Sequence, residues 1–226
     1  EDAVLNDIGF ILLGEAIVLD NMTLIANSHS GDLISVLYSD DVTVSNMNIS
    51  YTVDKPAIAI HICQSDNVNI INNTVFFEST VDDYAVDKMT CAISIDVDAD
   101  MYDLMSDEYE PISNIIVDNN NITAIIPAFL ADALEHECMV MGFSAVNGVR
   151  VCGVEDLKFT NNNLDVTTNY LARTTPTFQA MYVAYSDGLF DSNNISMIDT
   201  FTPEGKDVYL HGMELVHDEN LTISNN

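Results

Sequence analysis

The sequence predicts an all-β fold, a right-handed parallel β-helix solenoid of about seven coils with three short strands in each. Three observations predict it. A unit returns in one phase along the whole chain, the apolar residues inside it alternate with a period of two, and asparagine recurs at a fixed place in its bend.

The unit is plainest in SDDVTVSNMNIS (39–50), SDNVNIINNTVFFES (65–79) and VEDLKFTNNNLDVTT (154–168). Anchored on the first apolar residue after an acidic turn, the copies start at Ile17, Val42, Val68, Ile115, Leu157, Gly188 and Leu221. Gly188 is the weakest register, because Leu189 could be the anchor instead. Two residues on stand Leu19, Val44, Ile70, Val117, Phe159, Phe190 and Ile223. Four on come Asn21, Asn46, Asn72, Asn119, Asn161, Ser192 and Asn225; three further come Leu24, Ile49, Val75, Ile122, Leu164 and Ile195. Anchors are 25, 26, 47, 42, 31 and 33 residues apart, a period typical of solenoids, propellers and arrays.

Alternation within each copy makes the units strands. A further alternating strand precedes many of the turns: Ile34/Val36, Ile58/Ile60/Ile62, Ile93/Ile95/Val97 and Met213/Leu215. Three strands per coil, each stacked about 4.8 Å from its equivalent, turn the alternate apolar residues into inward columns. Asparagine suits the bend because it tolerates the left-handed conformation, and stacked amides can bond to one another in a ladder. The competing all-β reading, a sandwich with Asn-rich hairpins, predicts no common phase over seven copies.

The longer copies carry insertions. Some follow the third strand, at 50–56, 76–90, 125–137, 167–179 and 199–207. Others extend the acidic turn, at 98–111 and at SAVNGVRVCG (144–153). Pro127 is placed to open a short helix with Phe129, Leu130, Ala133 and Leu134 on its apolar face. Insertions on one side of a solenoid often form its binding face.

Composition narrows the partners. The chain has 226 residues, enough for one domain spanning 1–226, and 48% of them are hydrophobic, which excludes disorder. Thirty-six acidic against six basic residues give a formal charge of −30, which repels nucleic-acid phosphates and anionic lipid. The longest apolar run, IGFILLGEAIVL, is interrupted by Glu15 and too short to span a bilayer. No signal-peptide pattern opens the chain, and the last repeat stops midway at Asn226, so a segment of a longer coil is expected.

Candidate chemistry is sparse. Asp96, Asp98, Asp100 and Asp103 open a D-x-D-x-D series with Asp107 twelfth, as in a calcium loop, but Met101 stands where that loop needs glycine. A looser calcium site or a solvated acidic loop remains. His61 and Cys63 share the outer face of one strand and form a candidate metal pair, as do His211 and His217 by parity. Cys91 and Cys138 precede first strands of successive coils, close enough to bridge; the alternative is two reduced thiols. Six sequons occur, at Asn21, Asn48, Asn72, Asn121, Asn194 and Asn220. The repeat itself generates them, and those at Asn21 and Asn72 are expected in the ladder, poorly reachable. Tyr51, Tyr84, Tyr102, Tyr109 and Tyr170 fall in expected loops, where ring faces can stack on sugars.

SDNVNIINNTV, NIIVDNNNITAI and DLKFTNNNLDV resemble the β-helix repeats of adhesin-like surface proteins, especially those of methanogenic archaea, within the wider pectate-lyase-like superfamily. The resemblance covers nearly the whole chain. It implies an extracellular, cell-surface, non-catalytic protein whose loops contact carbohydrate or another cell surface, with Tyr84, Tyr102, Tyr109 and Tyr170 as binding candidates. The superfamily also implies two alternatives: a polysaccharide lyase, hydrolase or epimerase, and a purely structural envelope stalk. The G-H-G and R-x-K signatures of its hydrolases are missing, since Leu210 precedes His211-Gly212. A lyase needs a base beside its acidic cluster; Lys158 and Arg150 are the candidates, and the sequence places neither beside 96–110.

Overall fold

A computed structural model describes residues 3–27, 31–80, 90–97, 109–128, 147–170, 177–200, 209–218 and 220–226. The chain is a right-handed parallel β-helix of about seven coils, built on three seven-stranded sheets. Sheet A stacks β1 (Ala3–Asn6), β4 (Met22–Ala26), β7 (Asn48–Val53), β10 (Thr74–Ser79), β14 (Asn121–Ala128), β18 (Asn163–Tyr170) and β21 (Asn194–Asp199). Sheet B stacks β2 (Phe10–Leu12), β5 (Ile34–Leu37), β8 (Ile58–Cys63), β11 (Cys91–Asp96), β15 (Asn147–Cys152), β19 (Thr177–Ala184) and β22 (Tyr209–Val216). Sheet C stacks β3 (Val18–Asp20), β6 (Asp40–Ser45), β9 (Asp66–Ile71), β13 (Ile116–Asp118), β17 (Leu157–Thr160), β20 (Gly188–Asp191) and β23 (Leu221–Ser224). A small fourth sheet pairs β12 (Ile112–Ser113) with β16 (Val154–Glu155).

The register follows the repeat. Val42 pairs with Val68, Leu157 with Gly188 and Gly188 with Leu221, so the anchors form one column. Gly188 belongs in that column after all. Its φ is +141°, and a Cβ there would lie 2.1 Å from the Leu157 carbonyl oxygen, so only glycine fits. Leu24, Ile49, Val75, Ile122 and Leu164 form the sheet A column and are buried. Beside them two large rings are flanked by small residues: Tyr51 pairs with Ala26 and Phe77, and Phe77 with Ala124. Tyr51 is therefore no loop residue. It is fully buried on β7, its hydroxyl donates to the Gly31 carbonyl, and its ring meets Phe77 edge-on.

The asparagine ladder lies one residue beyond its expected place. Asn21, Asn46, Asn72, Asn119, Asn161 and Asn225 do adopt left-handed φ of 52–57°, but they point outward and are exposed. The next residue turns inward. The Oδ1 of Asn120 accepts from the backbone N–H and the Nδ2 of Asn73, at 2.9 and 3.0 Å. Asn162, Asn193 and Asn226 repeat this in turn. The left-handed residue bends the chain and its successor fills the corner. Asn21 and Asn72 are thus reachable. A second polar stack lines the opposite turn, where Ser65 Oγ accepts from Ser39 N–H, Ser186 Oγ from Val154 N–H, and Asp218 Oδ1 from Ser186 N–H.

Two further expectations need correcting. Residues 147–152 extend no turn; they are β15, in register with β11 and β19. Gly148 hides the strand, because that corner has no room for a side chain. A Cβ there would come 2.4 Å from Val166 Cγ2 and 2.8 Å from the Ala180 carbonyl oxygen. Pro127 starts no helix but continues β14, opposite Asn169; residues 129–134 lie outside the described residues. Cys91 is a free, buried thiol, and Cys138 lies outside the described residues.

Candidate functional site

Alternation on three neighbouring strands of sheet B assembles the most chemically loaded cluster among the described residues. On β8, Ile60 and Ile62 enter the core, which turns His61 and Cys63 outward; Ser94 and Asp96 do the same on β11, and Arg150 and Cys152 on β15. Register then stacks Ser35, His61, Ser94, Arg150, Tyr182 and Glu214 in one column. Cys63, Asp96 and Cys152 stack in the next.

His61 sits between two carboxylates. Its Nδ1 is 2.8 Å from Asp32 Oδ2 and its Nε2 is 3.2 Å from Asp96 Oδ1. Asp96 Oδ2 accepts from Ser94 Oγ at 2.6 Å and from Arg150 at 3.1 Å. Asp32 Oδ1 accepts from the Ile58 N–H at 3.0 Å, which pins the carboxylate at the start of β8. The cluster is largely shielded, with side-chain exposures of 18% for His61, 10% for Asp96 and 12% for Arg150.

Burial by itself disfavours a charged imidazole, but the hydrogen bonds to Asp32 and Asp96 outweigh it and lift the His61 pKa to about 11. Burial likewise opposes ionisation of Asp96; the His61 hydrogen bond and the Arg150 charge reverse that and hold its carboxyl below the usual range. Burial keeps Cys152 protonated, its pKa pushed up to about 11, and raises Cys91 further. Two carboxylates thus face two cations, and the four charges cancel.

Long connections lead into this sheet. Residues 80–90, 129–146, 171–176 and 200–208 each link a sheet A strand to the next sheet B strand, whereas four residues, 54–57, suffice between β7 and β8. Two of the insertions foreseen after the third strand therefore lead directly into the strands that carry Asp96 and Arg150, while the strand of His61 is entered by the short link.

The predicted candidates distribute unevenly. Asp96 lies in the cluster with both oxygens engaged; Asp98, Asp100, Asp103 and Asp107 fall outside the described residues. Tyr109 is half-buried, packs on the core, and its hydroxyl reaches the Tyr185 carbonyl at 3.4 Å. Tyr170 ends β18, its side chain outside the described residues, as are Tyr84 and Tyr102 altogether. His217 follows β22 and stacks on Tyr185, 5.2 Å between centroids; the His211 side chain lies outside the described residues. Lys158 is exposed on β17 in sheet C, away from Asp96. Arg150 does stand beside Asp96, the adjacency that the sequence alone could not supply. Asp32, Ser94 and Arg150 were not foreseen as a group. The available signal was a rare basic residue between Val149 and Val151, in a chain with six basic residues in all.

No family model, no curated protein and no solved structure matches the chain.

Proposed function

We propose that this chain is a non-catalytic, adhesin-like β-helix module of a cell surface, attaching through carbohydrate or cell-surface contacts at the outer face of sheet B and the connections that lead into it. The observation that carries this reading is the mutual neutralisation of the sheet B cluster. A general base must be free to take a proton, and an electrophilic cation must be free to meet a substrate. Here both His61 nitrogens are held by carboxylates and Arg150 is held by Asp96. A stiff coil whose sheet B cluster neutralises itself, with long connections between successive strands, suits display rather than turnover. The acidic surface keeps such a module soluble and repels like neighbours.

One observation favours a second reading, a carbohydrate-active enzyme: Arg150, His61, Asp32 and Asp96 do converge on one sheet face. It requires substrate to displace one of the ion pairs. The two readings separate in a cleavage screen. The protein is incubated with neutral and acidic polysaccharides with calcium present, and new reducing ends and unsaturated products are followed. The module reading expects no product and retention of particular glycans on an array. Cleavage would overturn it, and absence of any glycan or cell-surface binding would leave a structural stalk.

A further inference from the structure

We infer that His61, Cys63 and Asp96 form a binding site for a divalent metal ion of the zinc class. One ligand atom from each, an imidazole nitrogen, the thiol Sγ and a carboxylate oxygen, all lie within 4.8 Å of one another. Nitrogen, sulfur and oxygen together make a borderline-soft set that suits zinc or cobalt better than calcium or magnesium. The spacing fits as well. Two ligands bound at about 2.05 Å in a tetrahedral arrangement stand about 3.3 Å apart. Nε2 of His61 is 3.2 Å from Oδ1 of Asp96, long for a hydrogen bond between charged partners, whereas Nδ1 to Asp32 is a normal 2.8 Å.

The surroundings are those that orient ligands. Asp32 fixes the imidazole through Nδ1 and is itself fixed by the Ile58 N–H, so Nε2 is aimed at Asp96. Ser94 and Arg150 both hold Asp96 Oδ2, which leaves Oδ1 as the oxygen facing His61. Charge also balances. A divalent ion held by the Cys63 thiolate and the Asp96 carboxylate, with Asp32 and Arg150 beside them, sums to zero, so the occupied site buries no net charge. The ion would tie β8 to β11, and three protein ligands leave a fourth position for water.

The probe is cobalt(II), added to the full chain under excess magnesium and calcium, which occupy the acidic surface without competing for a thiolate. The expected result is one tight equivalent with a thiolate-to-cobalt charge-transfer band that zinc abolishes. The band should vanish in Cys63→Ser and persist in Cys91→Ser and Cys152→Ser. Asp32→Asn should keep the band but weaken cobalt binding roughly 10–100-fold. Urea unfolding serves as the folding control: Cys63→Ser should keep the metal-free midpoint, and zinc should raise the midpoint of the parent chain but not that of Cys63→Ser. No charge-transfer band, a band that survives in Cys63→Ser, or one lost in Cys152→Ser would overturn the site.

Discussion

Asn162 tests the ladder most directly. Its side chain is 2% exposed and makes four hydrogen bonds. Oδ1 accepts from the backbone N–H and the Nδ2 of Asn120, both at 2.9 Å; Nδ2 donates to the Val117 carbonyl at 2.9 Å and to Asn193 Oδ1 at 3.1 Å. Asn162→Ala removes all four. Asn193 keeps a donor, because the Asn162 backbone N–H still reaches its Oδ1 at 2.9 Å. The Asn120 backbone N–H is stranded in the core. A stranded buried donor costs about 1–3 kcal/mol and each of the three further lost bonds about 1 kcal/mol, so the sum is about 4–6 kcal/mol. The control is its neighbour. Asn161 is exposed, at φ +54°, with one bond to Asp118 at 2.9 Å. Asn161→Gly keeps the bend and should cost under about 1 kcal/mol. Urea titrations followed by circular dichroism, with hydrogen exchange of the coils around Asn162, give both values. Equal costs for the two substitutions, or a larger cost at Asn161, would refute the inward placement of the ladder.

Gly188→Ala forces a Cβ to within 2.1 Å of a backbone oxygen and should cost about 4 kcal/mol or abolish soluble folding. Gly31→Ala, in open space at φ +100°, should cost only the backbone strain of about 1–3 kcal/mol, and comparable urea midpoints for the two would contradict the packing argument. Arg150→Met leaves Asp96 buried with a single cationic partner and should lower stability by about 3 kcal/mol; a neutral or stabilising outcome in the same titration would show that the ion pair holds nothing together. Burial raises the Asp218 pKa to about 6 against the pull of the Ser186 and Val216 N–H groups. The folded chain then binds more protons than the unfolded one between pH 4 and 6, so Asp218 stabilises below that window and loses its contribution as pH rises through it. Partial exposure reduces the effect to about 1 kcal/mol. Asp218→Ser, which restores the serine of that stack, should gain on the parent from pH 4 to 6 and hold its lead above; a difference flat in pH would refute this.

What the sequence made legible was whatever repeats. Val42, Val68, Ile115 and Leu157 share a phase because every coil needs the same apolar residue at the same height, so the columns and even the glycine at 188 could be read in register. The ladder was misplaced by one because Asn161-Asn162-Asn163 offers no contrast: all three are asparagine, and only the backbone decides which turns inward. Met47 is the better signal. It occupies the inward position where the ladder starts, its N–H bonding to Asn73 Oδ1, and an apolar residue there marks that position as internal.

The sheet B cluster was hidden for the opposite reason. Its members come from unlike coils, and its bonded pairs are separated by 29, 35 and 54 residues in sequence, so no periodic search brings them together. Parity nevertheless sets each side chain outward, and stacking sets the distances. The outer face of a β-helix thus escapes the constraint that makes its core repetitive: a residue there answers to its neighbours one coil above and below, not to its counterparts in the repeat. Asp32, His61, Asp96 and Arg150 satisfy one another across consecutive levels of sheet B, where the equivalent positions in the last two coils hold Tyr182 and Glu214. The break in repetition is itself informative. An outward position with a basic residue between two valines, in a chain carrying thirty-six acids, calls for a carboxylate on an adjacent level, and Asp96 meets Arg150 there.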